Sequence, residues 1–185
     1  MTETPPALFT AFDGHRRLAH GSAGETAVAL RRAEESGAAG PLLAFDADGR
    51  QIDFDLRGSV EEILARHAPA PAEPRGRGRP RLGVTAREVT LLPRHWDWLA
   101  AQPGGASVAL RKLVEAARLD GEGLRRSARD AAYRFMSAMA GDLPGFEEAS
   151  RALFADDRER LKSLVAEWPC DVRDHLLGLA RLTGA

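Results

Sequence analysis

Apolar residues change their spacing several times along the chain, and each change predicts an element. Leu8 to Phe12 and Arg16 to Ala19 flank Asp13-Gly14, a dipeptide suited to the left-handed backbone of a tight hairpin turn. Ala27, Leu30 and Ala33 then recur at helical spacing until the Gly37 to Pro41 stretch breaks the helix. The pattern restarts at Leu42 to Phe45, which is separated from Gln51 to Leu56 by the turn sequence Asp46-Ala47-Asp48-Gly49. Ile52, Phe54 and Leu56 alternate with Gln51, Asp53 and Asp55, as on a half-buried strand. Ser59 followed by Glu62 is a capping box, and Val60, Ile63 and Leu64 give the helix behind it an apolar face. Ala11-Phe12-Asp13 and Ala44-Phe45-Asp46 sit at corresponding positions, so a hairpin-helix unit is read as repeated. The expected product is a four-stranded, mainly antiparallel sheet covered on one face by two helices.

Pro69, Pro71 and Pro74 interleave with Ala, which predicts an extended, semi-rigid spacer. Towards the carboxy end, Ala131, Ala132, Phe135, Met136 and Met139 mark one amphipathic helix, and Phe146, Ala149 and Leu153 another. Asp156 is placed to cap a helix carrying Leu161, Leu164, Val165 and Trp168, which Pro169 ends; Asp171 opens a last one with Val172, Leu176 and Leu179. The fold class is α+β. An amino-terminal hairpin-helix domain covers 1–67, a Pro-rich linker and basic arm 68–82, a strand and two helices 83–119, and a helical region 120–185.

Charge singles out the middle of this layout. The whole chain carries a formal net charge of -1, yet residues 75–126 hold eleven Arg and Lys against five Asp and Glu, while both flanks are net acidic. A confined positive segment is the footprint that a phosphate backbone attracts. Within it, Arg75, Arg77, Arg79 and Arg81 alternate on a backbone that Gly76 and Gly78 keep slender and Pro80 holds extended. Such a strip suits a narrow, strongly negative A·T-rich minor groove; the alternative is a solvated basic linker. Pro80 interrupts any dinucleotide-binding glycine pattern, and no strand leads into it.

Arg87 to Leu92 is β-prone, Pro93 is placed to begin a helix with Trp96, Trp98 and Leu99, and Pro103-Gly104-Gly105 stops it. Ser107 lies near the start of a second helix with Leu110, Leu113, Val114 and Ala117 at helical spacing and Arg111 and Lys112 on its polar side. A lone strand and two helices cannot close a core, and pairing with the same strand of a second chain is the economical solution.

Arg77-Gly78-Arg79-Pro80-Arg81 resembles the AT-hook, and the order from Thr85 to Arg118 resembles the ribbon-helix-helix family of Arc-type and MetJ-type repressors. The second resemblance implies a homodimer whose paired strands enter the major groove, with Arg87 and Thr90 on the ribbon. It also implies a phosphate held at the backbone of Gly105, Ala106 and Ser107. Glu88, Val89 and Leu91 depart from the polar alternation of a base-reading ribbon, so most affinity is expected from phosphate and minor-groove contacts. The chain as a whole resembles an uncharacterised bacterial family of a domain of unknown function, which implies no activity.

His15, His20, His67, His95 and His175 are scattered without metal or nucleophile spacing, and Cys170 has no second cysteine to bond. No enzyme activity, cofactor or metal is therefore expected, and the chain reads as cytoplasmic with no membrane segment. The expected partners are double-stranded DNA, a second copy of the chain, and a protein or small-molecule effector at the amino-terminal domain. The competing reading is a dimeric protein-interaction or ligand-binding module that binds no DNA.

Overall fold

The Asp13-Gly14 turn joins β1 (Phe9–Asp13) to β2 (Arg16–Gly21), with Gly14 at φ 55°, where a side chain would be strained. The computed structural model describes residues 7–68 and 85–182, apart from the side chains of 118 and 119. Ser22 and Glu25 close a capping box at the start of α1 (Ala23–Glu35), and β3 (Leu42–Asp46) returns along the other edge of β1. The sheet is antiparallel in the order β2-β1-β3. Ala11 lies opposite Ala44 and Thr10 opposite Phe45, so the two Ala-Phe-Asp tripeptides are side by side at its centre.

The fourth strand expected over Gln51 to Leu56 does not form. Only Gln51 bridges to Phe45, and the last ladder-like bond is Ile52 N–H to Ala44 C=O at 2.9 Å. Beyond it the carbonyls find side-chain donors instead. Arg66, at the end of α2 (Val60–Arg66), donates to the carbonyls of Asp55 and Arg57, both at 2.9 Å. The alternating apolar residues are still used: Phe54 sets its ring edge-on to Phe9 at 5.4 Å and, with Leu56, packs between the sheet and the two helices. Burial of that alternating face needed an extended chain but not a hydrogen-bonded one.

The chain divides into two compact units, Met1–Pro69 with Arg125–Ala185, and Ala70–Leu124. In the first, the carboxy-terminal helices cover the sheet face opposite α1. These are α5 (Gly121–Met139), α6 (Phe146–Phe154), α7 (Arg158–Leu164) and α8 (Cys170–Leu179), numbered after the two helices of the second unit. Phe12 and Phe45 from the sheet meet Phe135 of α5 with ring centroids 5.5 and 5.0 Å away, and all three are fully buried. The sheet is thus covered on both faces, not on one, which explains why β1 exposes almost nothing.

Two polar fastenings set the helices against the sheet. Arg134 donates to the Asp48 carbonyl at 2.9 Å beside Gly49, whose missing Cβ makes room for the backbone of Ala131. Arg17 N–H donates to Asp171 at 2.8 Å, tying β2 to the first turn of α8. Asp157, one residue later than expected, caps α7 by accepting from Arg160 N–H; Trp168 lies past that helix and donates from Nε1 to the Pro144 carbonyl at 2.9 Å.

The second unit contains α3 (Pro93–Ala100) and α4 (Gly105–Leu119). Pro93 occupies the first turn of α3, and Gly104 reverses the chain into α4 with φ 87°. Among the described residues of this unit, Leu99 and Ala109 are the buried apolar ones.

Phe135→Ala is expected to cost about 3–5 kcal/mol, because it opens a cavity beneath two aromatic rings that cannot both follow. Phe154→Ala, at a half-exposed ring beside Tyr133 and Arg129, is expected to cost about 1 kcal/mol or less. Urea unfolding of both variants measures the contrast, and equal losses would mean that the aromatic junction does not organise the unit.

Candidate functional site

The residues expected to contact DNA fall into three groups. Arg75, Arg77, Gly78, Arg79, Pro80 and Arg81, the arm, lie outside the described residues. Arg87 and Thr90 are exposed on a segment, 85–92, that belongs to no helix or strand of the single chain. Gly105, Ala106 and Ser107 form the first turn of α4, behind a glycine cap that supplies no side-chain oxygen to their N–H groups. The Gly105 N–H is taken by the Gln102 carbonyl at 2.9 Å, so the donors left open at this partially positive helix start are those of Ala106 and Ser107.

Around these residues lies uncovered apolar surface. Of the ten exposed large hydrophobic side chains among the described residues, six belong to this unit: Val89, Leu92, Trp96, Trp98, Leu113 and Val114, at 40% to 57% exposure. On α4 the stripe runs from buried Ala109 to exposed Leu113 and Val114, so the packing against α3 covers only its first part. Trp96 and Trp98, two positions apart on α3, point to different sides of that helix, so two tryptophans are left in water without sharing one face.

The first unit holds a second candidate that single-residue reading of the sequence missed. A cavity of about 510 Å³ opens between β2, the turn after β3, α5 and α8. It gathers Arg17, His20, His175 and Arg181, which are spread over more than 160 positions. Thr10 Oγ1 and His20 Nδ1 are hydrogen-bonded at 2.8 Å, which orients that ring. His175 stands edge-on to Phe12 and Phe135, at 5.6 and 4.5 Å, and its Nε2 is buried without a hydrogen-bond partner. Burial, reinforced by His20 and Arg17 nearby, lowers the His175 pKa to about 4. The helical position of His175, one residue before the buried Leu176, was the available signal that its ring turns partly inward. Nothing in the sequence indicated that it would meet His20.

These features define an α+β protein in which a basic pair of helices interrupts a sheet-and-helix unit. The family model described as "Uncharacterized protein conserved in bacteria (DUF2239)" matches residues 8–180, and the chain belongs to that family. No curated protein and no solved structure matches it. Among the described residues, no helix is long and apolar enough to cross a membrane.

His175 makes stability depend on pH. Its folded pKa lies below the unfolded value of 6.5, so between pH 6.5 and about 4 the unfolded chain takes up a proton that the folded chain refuses. Stability therefore falls with acidification through that window. With partial solvent screening the His175 contribution is about 1–2 kcal/mol between pH 7 and pH 5. Unfolding free energies at both pH values, compared with His175→Phe, should show a smaller acid loss in the variant; identical losses would exclude His175 as the source.

Proposed function

We propose that this chain is a cytoplasmic, non-enzymatic DNA-binding regulator, transcriptional or nucleoid-associated. In this reading a ribbon-helix-helix unit dimerises and an Arg-Gly arm grips an A·T-rich minor groove. The observation that carries the reading is the group of exposed apolar side chains on α3 and α4 within the one strongly basic stretch of the sequence, of which Leu113 and Val114 are neighbours on α4. Covering such side chains returns about 25 cal/mol for each Å² removed from water, and a second copy offers the same side chains under two-fold symmetry. Segment 85–91 takes no part in the sheet of its own chain, which leaves it free to pair with the matching segment of a partner, while the Leu92 carbonyl is used by the first turn of α3. The glycine-capped start of α4 then supplies N–H donors for a phosphate, with Arg111 and Lys112 exposed further along the same helix. A dimeric module that binds a ligand rather than DNA is the second reading, favoured by the cavity of the first unit.

Leu113→Glu with Val114→Glu alters side chains already in water, so the helices should survive by circular dichroism while the dimer dissociates in sedimentation and DNA affinity drops at least tenfold. A wild-type chain that stays monomeric at high concentration would overturn the dimer. In fluorescence anisotropy with A·T-rich duplex, binding should weaken steeply with salt. Arg77→Ala with Arg79→Ala should lower the slope of log affinity against log salt by about 2. Retention of the full slope would remove the arm from the interface.

A further inference from the structure

The cavity of the first unit has an unbalanced charge inventory. Three carboxylates line it: two are paired with arginines outside it, and the third, Asp46, keeps its charge but is directed into its own turn. Asp46 accepts the N–H groups of Asp48 and Arg50, both at 2.9 Å, in its own turn. Asp48 pairs with Arg50 at 3.0 Å, and Asp174 pairs with Arg173 at 2.9 Å. The cavity's two arginines are different: among the described residues, the guanidinium groups of Arg17 and Arg181 have no carboxylate partner. Arg17 is fastened only through its backbone, whose N–H is held by Asp171, so its strand position is set while its side chain is uncommitted.

Arg181 occupies its place at a conformational cost. It follows α8 with φ 56°, and its N–H bonds to the Gly178 carbonyl at 3.0 Å while Leu182 N–H bonds to the Leu177 carbonyl at 2.8 Å. This is the helix-ending motif whose left-handed position glycine normally fills. A long cationic side chain is held there, at the mouth of a cavity, where an unstrained glycine would end the helix equally well. His20 adds a ring already oriented by Thr10, with Nε2 left over. Ala128, Ala131 and Leu179 supply an apolar part of the wall, and Ser127 a hydroxyl. Apolar walls with a few convergent polar groups, in a volume of this size, are the usual form of a small-molecule site.

We propose that this cavity binds a small organic oxyanion, a molecule bearing a carboxylate or phosphate group, with Arg17 and Arg181 as its charge partners and His20 as an additional hydrogen-bonding group. Two guanidinium forks match either oxyanion, because both present paired oxygens at similar spacing. The site lies wholly within the first unit and stands independently of DNA binding.

The test is calorimetric titration and thermal melting of the full-length chain with sodium phosphate and, separately, sodium succinate, against sodium chloride at matched ionic strength. A saturable signal with one or both anions is expected beyond the chloride control. Arg17→Met and Arg181→Gly should each weaken it at least tenfold, while Arg151→Gln, which removes an equal charge from the surface of α6, should leave it unchanged. Arg181→Gly separates binding from folding: relief of the left-handed arginine should raise the melting temperature of the free protein while affinity falls. If Arg17→Met does not fold, Arg181→Gly alone decides. No saturable response to either anion, or undiminished binding by Arg181→Gly, would overturn the proposal, and neither result bears on the arm or the dimer.

Discussion

The structure depends on the meeting of Phe12 and Phe45 with Phe135. β1 is central in a three-stranded sheet and apolar on both faces, so α1 and α2 alone leave one face in water. Phe135 arrives from a helix that begins only at Gly121, near the end of the basic segment. Closing that long loop costs entropy, but the cost grows only logarithmically with length, whereas the buried aromatic area is gained in full. The same closure brings α8 across β2, where Asp171 holds the Arg17 backbone.

Because the first unit is completed by both ends of the chain, the segment between them is free to follow its own design. Residues 70–124 leave that unit and return to it, as an inserted module does at an exposed connection. Its composition differs accordingly: net positive where the flanks are acidic, and with Trp96 and Trp98 exposed where Phe12, Phe45, Phe135 and Trp168 of the flanks are buried.

The candidate sites differ in how they could be read. The basic segment is contiguous, so charge counting and turn chemistry were enough to find it and to place the starts of α3 and α4. The cavity joins β2, the Asp46 turn, α5 and α8, and its histidines look like surface residues when taken singly. Only the antiparallel register that sets Thr10 beside His20, and the docking of α8 that sets His175 against Phe12, bring them together.

By itself the sequence determined most of what acts over about one turn of chain, the α7 cap being one residue later than its pattern suggested. The Asp13-Gly14 hairpin, the Ser59 and Glu62 cap, the proline start of α3 and the helical stripes of the carboxy-terminal region all depend on neighbours a few residues apart. Tertiary structure alone decided which apolar face covers which. It replaced the expected fourth strand with a segment satisfied by Arg66, placed α5 against the open sheet face, and left two arginines around one cavity without a carboxylate partner among the described residues. Apolar burial has no direction of its own, so an alternating or helical pattern shows that a face will be covered but leaves its partner to the packing of the whole chain.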